Sequence, residues 1–273
     1  MAYKHWTLDD IPWDRLDRSK VDPDQLKIIK AAAMVEFNAT DYVAYLENVF
    51  AGDEVFLEAA RAWGVEETQH GEALGQWASR VDPDFDFPKR FADFRAGFRP
   101  DIDADHSVRG SRAGEMVARC MVEVGTSSYY SALGDATDEP ALEFICRKIA
   151  ADELRHYKLF YDHLKRYLNS EGLNRFQRLK VALGRITETE DDELSYAYYA
   201  ANNEGEPYDR ETANREYMRR ALPYYKDLHI DRALAMIFKA VGLKPHTPLY
   251  RTTSLGAKWL KGRQQRKLAR QAA

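Results

Sequence analysis

The chain has 273 residues, 45% of them hydrophobic and 31% charged, which is typical of a globular protein with room for one sizeable core. No segment approaches the roughly eighteen uncharged apolar residues that a membrane-spanning helix needs. The formal net charge is −4, yet the last 23 residues contain seven Lys or Arg and no acid. The acidic remainder argues against nucleic acid as a partner, because phosphate binding requires a broad basic surface.

The start of the chain and its two cysteines indicate the compartment. The N-terminal residues, which include Asp9 and Asp10, lack the apolar core of a secretory signal. Cys120 and Cys146 lie on apolar faces of predicted helices, where buried reduced thiols are more common than a disulfide. The sequence therefore predicts a cytoplasmic protein with two free cysteines.

Helical spacing of apolar residues dominates, and the alternation typical of β-strands is absent. Asp22 followed by Pro23 is a helix start, because aspartate caps the first turn and proline needs no hydrogen bond there. Asp53 and the Asp-Glu-Pro string at 138–140 provide similar starts. The sequence thus predicts four long helices, over about residues 22–50, 53–80, 107 or 111–133, and 138–169.

The connections predict how these helices are arranged. Ala51-Gly52 and the turn over 134–137 are short, and therefore join antiparallel neighbours. The phenylalanine-rich segment between Pro83 and Pro100 is predicted to be extended and to cross to the other end of the bundle. Two helical hairpins joined by a long crossover have the connectivity of ferritin-like bundles. We therefore predict an all-α fold, a ferritin-like four-helix bundle with a long crossover and additional C-terminal helices.

The chain after residue 169 is less regular. The acidic, tyrosine-rich segment 187–208 is given no helix. We interpret 1–273 as a single domain, in which 22–169 form the four-helix core and 170–273 form additional helices and a basic tail. Shorter helices are predicted over 174–186, 209–226 and 229–241, and a basic terminal helix over about 253–270.

Two copies of one metal-binding pattern lie 86 residues apart in the four-helix core. In each copy a lone glutamate is followed about thirty residues later by Glu-x-x-His. Residues three apart share one face of a helix, and the neighbouring positions on these faces are apolar, so all four glutamates are predicted to face the core. The first copy consists of Glu36, Glu67 and His70, and the second of Glu123, Glu153 and His156.

Buried carboxylates need counter-charge, because one unpaired buried charge already costs several kcal/mol. Two divalent cations would cancel four carboxylates, and four carboxylates with two imidazoles are the ligand set of a carboxylate-bridged two-metal site. One histidine per metal with oxygen ligands suits iron or manganese, whereas structural zinc more often has cysteine. The alternative is that the glutamates are solvated, but two copies in nearly equal register do not favour it.

Glu66 and Asp152 directly precede the second glutamate of each copy. Each is predicted to accept a hydrogen bond from the non-ligating nitrogen of the other copy's histidine, which would fix the tautomer of that ring. A surface acidic role for either residue is an equally supported interpretation.

The segments around both copies resemble the soluble acyl-carrier-protein desaturases. Residues 63–72, WGVEETQHGE, are similar to that family's W-x-x-E-E-N-R-H-G-D string. Residues 145–156, ICRKIAADELRH, are similar to its I-C-x-x-I-A-A-D-E-K-R-H string. Residues 123–126, EVGT, resemble its E-R-A-T, in which the threonine lies beside the oxygen-binding site. The resemblance extends over about residues 25–165.

This resemblance implies a di-iron oxidoreductase, usually a homodimer, built on a ferritin-like bundle. It implies that the six residues of the two copies hold two iron ions, for which manganese could substitute, and that Thr126 lies near the oxygen pocket. The implied reaction removes two hydrogens from a fatty acyl chain carried on acyl-carrier protein. It consumes dioxygen as co-substrate and two electrons from a ferredoxin or similar donor.

Other functions use the same ligand set. A di-iron hydroxylase or N-oxygenase would apply this chemistry to another substrate. A ferritin-like storage protein or a rubrerythrin-like peroxide-handling protein is less favoured, because about 100 residues follow the second copy and a rubrerythrin-type electron-transfer module needs four cysteines. A non-enzymatic helical scaffold would leave the buried carboxylates unexplained.

The basic segment from Lys258 to Arg270 has three interpretations. It could dock an acidic partner such as the carrier protein or the ferredoxin. It could contact an anionic membrane surface. It could also be a solvated terminus without a partner.

Overall fold

The computed structural model describes residues 5–100, 102–188, 192–203 and 205–272. These residues form α-helices and four short 3-10 turns, and none of them lies in a β-strand, which confirms the predicted all-α class. The 3-10 turns are Leu8–Asp10, Trp13–Arg15, Arg18–Lys20 and Leu222–Tyr224. The helices are α1 Pro23–Phe37, α2 Ala39–Val49, α3 Glu54–Val81, α4 Phe87–Gly97, α5 Arg112–Gly134, α6 Pro140–Glu171, α7 Arg175–Glu188, α8 Asp192–Asn202, α9 Arg210–Ala221, α10 Asp227–Ala240 and α11 Pro248–Ala272.

Side-chain caps begin the four long helices where the sequence placed them. The carboxylates of Asp22 and Asp53 accept hydrogen bonds from backbone N–H groups in the first turns of α1 and α3. Ser111 caps α5, whereas Ser107, the other candidate, donates its hydroxyl to Glu115. Glu139 caps α6 by accepting from two backbone N–H groups. Each cap satisfies donors that the first turn of a helix leaves without an internal partner.

The helix predicted over 22–50 is two helices, since α1 ends at Phe37 and α2 begins at Ala39. The break lies where α3 packs closely on α1, because a Cβ on Gly71 would overlap the backbone nitrogen of Phe37. Tertiary packing against Gly71, which the helical period does not reveal, therefore ends α1 directly after its metal-binding motif.

Two segments contain helices that the sequence analysis did not assign. The connector between Pro83 and Pro100 was expected to be extended, but it contains α4. Pro88 lies in the first turn of α4, where its missing N–H is tolerated, and Phe94 is fully buried. The segment 187–208 contains α8, whose alanine-rich face is buried against α1. Of that segment, residues 189–191 and 204 lie outside the described part of the chain.

The later helices follow the predicted order with shifted ends. α7, α9 and α10 correspond to the helices predicted over 174–186, 209–226 and 229–241. The end of the middle prediction is a 3-10 turn, because Pro223 in Leu222–Tyr224 cannot continue an α-helix. The basic terminal helix starts earlier than predicted, at Pro248. None of the described helices combines the length and the apolar character needed to cross a bilayer.

Helix pairing creates two apolar regions. α5 lies along α6 and α1 lies along α3, while α8 packs on α1 and α10 on α5. The first apolar cluster includes Ile28, Leu74, Trp77, Tyr130, Ile145 and Ile149, and the second includes Leu46, Phe56, Trp63, Met116, Cys120 and Phe160. Along α3 and α6 the metal-binding motifs lie between the residues that belong to one cluster and those that belong to the other. The fold therefore places the motifs in the interior, at the boundary of two dry regions.

Candidate metal centre

The structure brings all six residues of the two motif copies together. Four helices supply them. α1 contributes its residue from near its C-terminus, and α3, α5 and α6 contribute theirs from their middle turns. None of the six is more than 7% exposed, although four carry carboxylates. We call this set the six-residue cluster: Glu36, Glu67, His70, Glu123, Glu153 and His156.

The six-residue cluster divides into two overlapping groups. One contains Glu36 and His70, the other contains Glu123 and His156, and both contain Glu67 and Glu153. Within each group every residue offers one ligand atom within 4.8 Å of the others. Two shared carboxylates between two sets of donors match two adjacent cations bridged by glutamates.

The imidazole nitrogens that face this centre are the Nδ1 atoms. Nδ1 of His70 lies 3.4 Å from Glu153 Oε1, 3.7 Å from Glu67 Oε2 and 3.9 Å from Glu36 Oε2. Nδ1 of His156 lies 2.9 Å from Glu67 Oε1 and 3.7 Å from both Glu123 Oε2 and Glu153 Oε2. Each ring therefore points one nitrogen at carboxylates of its own group.

Several of these buried atoms make no hydrogen bond. They are the Nδ1 atoms of both histidines, both carboxylate oxygens of Glu123, and Oε1 of Glu67 and of Glu153. Buried polar atoms in folded proteins normally have a partner, and leaving one without costs about 1–3 kcal/mol. Atoms that lack hydrogen bonds and converge from α3, α5 and α6 are what cation coordination would satisfy, so the residues present fit a pair of metal ions.

The protonation of the cluster leads to the same requirement for positive charge. Burial, together with the neighbouring carboxylates, raises the pKa of Glu36 and of Glu123 well above their usual range. Burial lowers the pKa of His70 and His156, but the carboxylates around them outweigh it and raise both pKa values well above 6.5. With protons as the only counter-charges, two neutral acids and two imidazolium ions balance Glu67 and Glu153. The interior tolerates four carboxylates only with about four positive charges or protons beside them.

The other nitrogen of each histidine contacts the acid that precedes the opposite motif. His70 Nε2 donates to Asp152 Oδ2 at 3.0 Å, and His156 Nε2 donates to Glu66 Oε2 at 2.8 Å. Because Nε2 keeps its proton for the acid, a metal ion that displaces the Nδ1 proton would meet an Nδ1 lone pair facing the centre. Burial raises the pKa of Asp152, but the His70 and Arg155 hydrogen bonds lower it to about 2, so the acid is ionised.

Three residues near these acids had no role in the sequence interpretation. The indole of Trp6 donates to Asp152 Oδ2 at 2.7 Å and stacks on the His70 ring, with 6.1 Å between ring centroids. Arg155 donates to Asp152 at 2.5 Å and to Glu66 at 3.0 Å, and it thereby links the two acids. His5 lies 3.0 Å from Glu66. Arg155 sits inside the second Glu-x-x-His string and could have been suspected, whereas Trp6 and His5 carry no such signal.

Two hydroxyl groups contact the carboxylates of the cluster. Tyr130, on the stripe of α5 that also carries Glu123, donates to Glu36 Oε1 at 2.6 Å. Thr126, the predicted oxygen-pocket residue, lies with Oγ1 2.8 Å from Glu153 Oε2. Helical spacing places Tyr130 on the apolar face of Glu123 but does not reveal it as a donor, because its acceptor, Glu36, comes from another helix. Each hydroxyl positions one carboxylate of the centre.

Comparison with known proteins identifies the family of this chain. A family model described as fatty acid desaturase matches residues 36–183, which is just over half of the chain. The matched region contains the whole six-residue cluster, from Glu36 in α1 to His156 in α6. A comparison with curated proteins finds no match. With this match over more than half of the chain, including all six residues of the cluster, the chain belongs to the fatty acid desaturase family.

Proposed function

We propose that this protein is an oxygen-dependent di-iron desaturase that introduces a double bond into a fatty acyl chain carried on acyl-carrier protein. The observation that carries the proposal is the six-residue cluster, with two shared carboxylates, in a chain of the fatty acid desaturase family. The acyl-carrier protein, a ferredoxin-type electron donor and a homodimeric state are proposed from the resemblance around the two Glu-x-x-His strings.

The residues of the cluster would hold two iron ions, or manganese in their place. Glu36 and His70 would bind one ion, Glu123 and His156 the other, and Glu67 and Glu153 would bridge them. Two divalent ions would replace the protons that now balance the four carboxylates. Oxygen donors with one imidazole per metal suit iron and manganese. When bound, the iron pair would supply the activation of dioxygen that the removal of two hydrogens from an unactivated acyl chain requires.

The surrounding residues prepare the site in three ways. Asp152 and Glu66 accept the Nε2 protons of the two histidines, which keeps both Nδ1 atoms directed at the centre, where they would bind metal once deprotonated. Tyr130 and Thr126 orient Glu36 and Glu153. These hydrogen bonds preorganise the ligands, so less free energy is spent on ordering them when metal binds.

The apolar side chains around the centre exclude water. Trp63 and Phe160 belong to the second apolar cluster and pack edge to face, with 5.5 Å between ring centroids. On the opposite side Trp6 covers His70. A dry environment strengthens electrostatic interactions and limits side reactions of reactive species. It also suits an acyl substrate, whose burial is driven by the hydrophobic effect.

The test is an assay with purified protein, ferrous iron, dioxygen, a reduced ferredoxin and a panel of acyl-carrier proteins loaded with saturated chains. Acyl-coenzyme A esters of the same chains are assayed in parallel, and the fatty acids are analysed by gas chromatography and mass spectrometry. We expect monounsaturated products from acyl-carrier protein. The matched control is Glu153→Ala, which should yield none.

Three results would overturn the proposal in different ways. Hydroxylated products without a new double bond would assign the protein to the hydroxylases. Products from coenzyme A esters alone would remove acyl-carrier protein as the carrier. Hundreds of iron atoms per assembly, in place of two per chain, would indicate storage.

A further inference from the structure

The exposed face of α11 combines large apolar side chains with basic ones, and the metal centre does not explain it. The opposite face of α11 is bound to the rest of the protein, since Ser254 and Lys258 bond to Asp231 of α10 and Gln265 donates to the Leu222 carbonyl. The helix is therefore fixed along the protein with one side outward. We define the α11 surface as the exposed residues Leu255, Trp259, Leu260, Arg263, Arg266, Lys267 and Arg270.

The first part of the α11 surface is apolar. Leu255 is 70% exposed, Trp259 58% and Leu260 56%, which is unusual for three large hydrophobic residues within six positions. The guanidinium of Arg263 lies over the Trp259 ring, 5.6 Å from its centroid. An aromatic ring with a cation beside it is amphipathic, as are the side chains that concentrate at the interface of a bilayer.

The second part of the α11 surface is basic. All seven charged residues of α11 are Lys or Arg. Arg251 is exposed near the start of the helix, and Arg263, Arg266, Lys267 and Arg270 are exposed in its second half. None of these last four forms an ion pair with a residue in the described part of the chain. The rest of the chain is acidic overall. This charge is therefore concentrated on one helix, and it is free to bind anions.

The combination of apolar and basic side chains on the α11 surface distinguishes two classes of partner, an acidic protein and an anionic bilayer. An acidic protein would be complementary to the four cations, but it would leave Leu255, Trp259 and Leu260 to contact water or an apolar surface of its own. A bilayer with anionic headgroups satisfies both parts, because phosphates meet the cations while the apolar side chains enter the headgroup and acyl boundary. We propose that the α11 surface docks this protein on anionic phospholipid membranes. This interaction is peripheral and does not depend on the metal centre.

The test uses the full-length protein and sedimentation with vesicles of phosphatidylcholine, alone or with one third phosphatidylglycerol. We expect binding to the anionic vesicles, weak binding to neutral ones, and release at high salt, because headgroup attraction is screened. Trp259 fluorescence should shift to the blue on binding, and the shift should be absent in Trp259→Phe. No binding to the anionic vesicles would overturn the proposal.

Two variants and one charge-matched control locate the interaction. Replacing all four exposed cations of the α11 surface by Gln should weaken partitioning about a hundredfold to a thousandfold, since each contributes about 1 kcal/mol. Trp259→Ser with Leu260→Ser should weaken it at least about tenfold. These residues are exposed, so circular dichroism should show unchanged helicity. The control variant replaces four exposed cations outside α11 by Gln: Lys20, Lys27, Lys89 and Lys180. It should bind the anionic vesicles as the unmodified protein does.

Two further outcomes would contradict the proposal. If the control loses as much binding as the α11 variant, net charge rather than this helix attracts the vesicles. If the protein ignores vesicles but binds an acidic carrier protein, and the α11 variant loses that binding, the surface is a protein-docking site.

Discussion

The two halves of the metal centre are equivalent in sequence but differ in their surroundings. The acid behind His70 is Asp152, whose side chain is fully buried and is covered by Trp6. The acid behind His156 is Glu66, whose side chain is 23% exposed and lies beside His5. A repeated motif therefore specifies the ligands, while their protection from water depends on which segment of the chain covers each end.

The lone glutamates differ in a similar way. Glu36 lies one residue before the end of α1 and accepts a hydrogen bond from Tyr130. Glu123 lies inside the unbroken α5, and neither of its carboxylate oxygens has a hydrogen bond. Only a cation, or a proton, would hold Glu123 in place. The first half is thus preorganised by protein donors, whereas the second half depends more on metal.

The largest expected effect is on iron content, which should fall more when a shared ligand is removed than when an unshared ligand is removed. Glu153→Ala removes a carboxylate that belongs to both groups, so we expect it to bind almost no iron. Glu123→Ala removes a ligand of one group only and should retain about one ion per chain. Metal content is measured by mass spectrometry after reconstitution with ferrous iron, and helicity by circular dichroism. Two ions per chain in Glu153→Ala would contradict the proposed bridging.

The next effect compares the two acids behind the histidines. Asp152→Asn keeps the shape of a fully buried partner but removes its charge, and should weaken metal affinity about 10–100-fold. Glu66→Gln changes a partly exposed partner whose charge is screened by solvent. It should weaken metal affinity only about threefold. Competition with a chelator measures both affinities. Equal losses would show that burial does not distinguish the two halves.

The protonation of the cluster predicts a pH dependence. The pKa values of Glu36, Glu123, His70 and His156 are all raised, so protons compete with metal, and iron affinity should increase with pH. A group with a raised folded-state pKa stabilises below its unfolded value and loses that contribution as pH rises through the folded one. For the histidines this loss begins above about pH 6.5.

Protein stripped of metal should therefore become less stable as pH rises above this value, while iron-loaded protein should not. Thermal unfolding across pH, with and without iron, measures the difference. Parallel curves for the two forms would contradict the assignment of the raised pKa values to the metal ligands.

The smallest expected effect is on stability alone and again contrasts the two halves. Gly71 lies against the backbone of Phe37, so Gly71→Ala forces α1 and α3 apart and should cost at least about 2 kcal/mol. Gly125 is also helical but has open space around it, so Gly125→Ala should stabilise by about 0.5–1 kcal/mol. Urea unfolding measures both. If Gly71→Ala leaves the free energy of unfolding unchanged, close packing does not cause the break after α1.

The elements that local chemistry controls were predictable. Asp22, Asp53 and Ser111 start helices through hydrogen bonds to their own first turns, so neighbouring residues are sufficient to identify them. The spacing of Glu67 and His70, and of Glu153 and His156, places each pair on one helical face. The all-α class and the convergence of the motifs in the interior follow from these local rules and from the repeat.

The sequence by itself thus determined the all-α class, the starts of the long helices, the repeat and the residues that form the six-residue cluster. Only the tertiary structure decided that Trp6 covers Asp152 from a position 146 residues away, that Tyr130 holds Glu36, and that α1 breaks against Gly71. The reason is physical: helical period and capping act over a few residues, whereas these contacts join segments whose proximity depends on how the whole bundle packs.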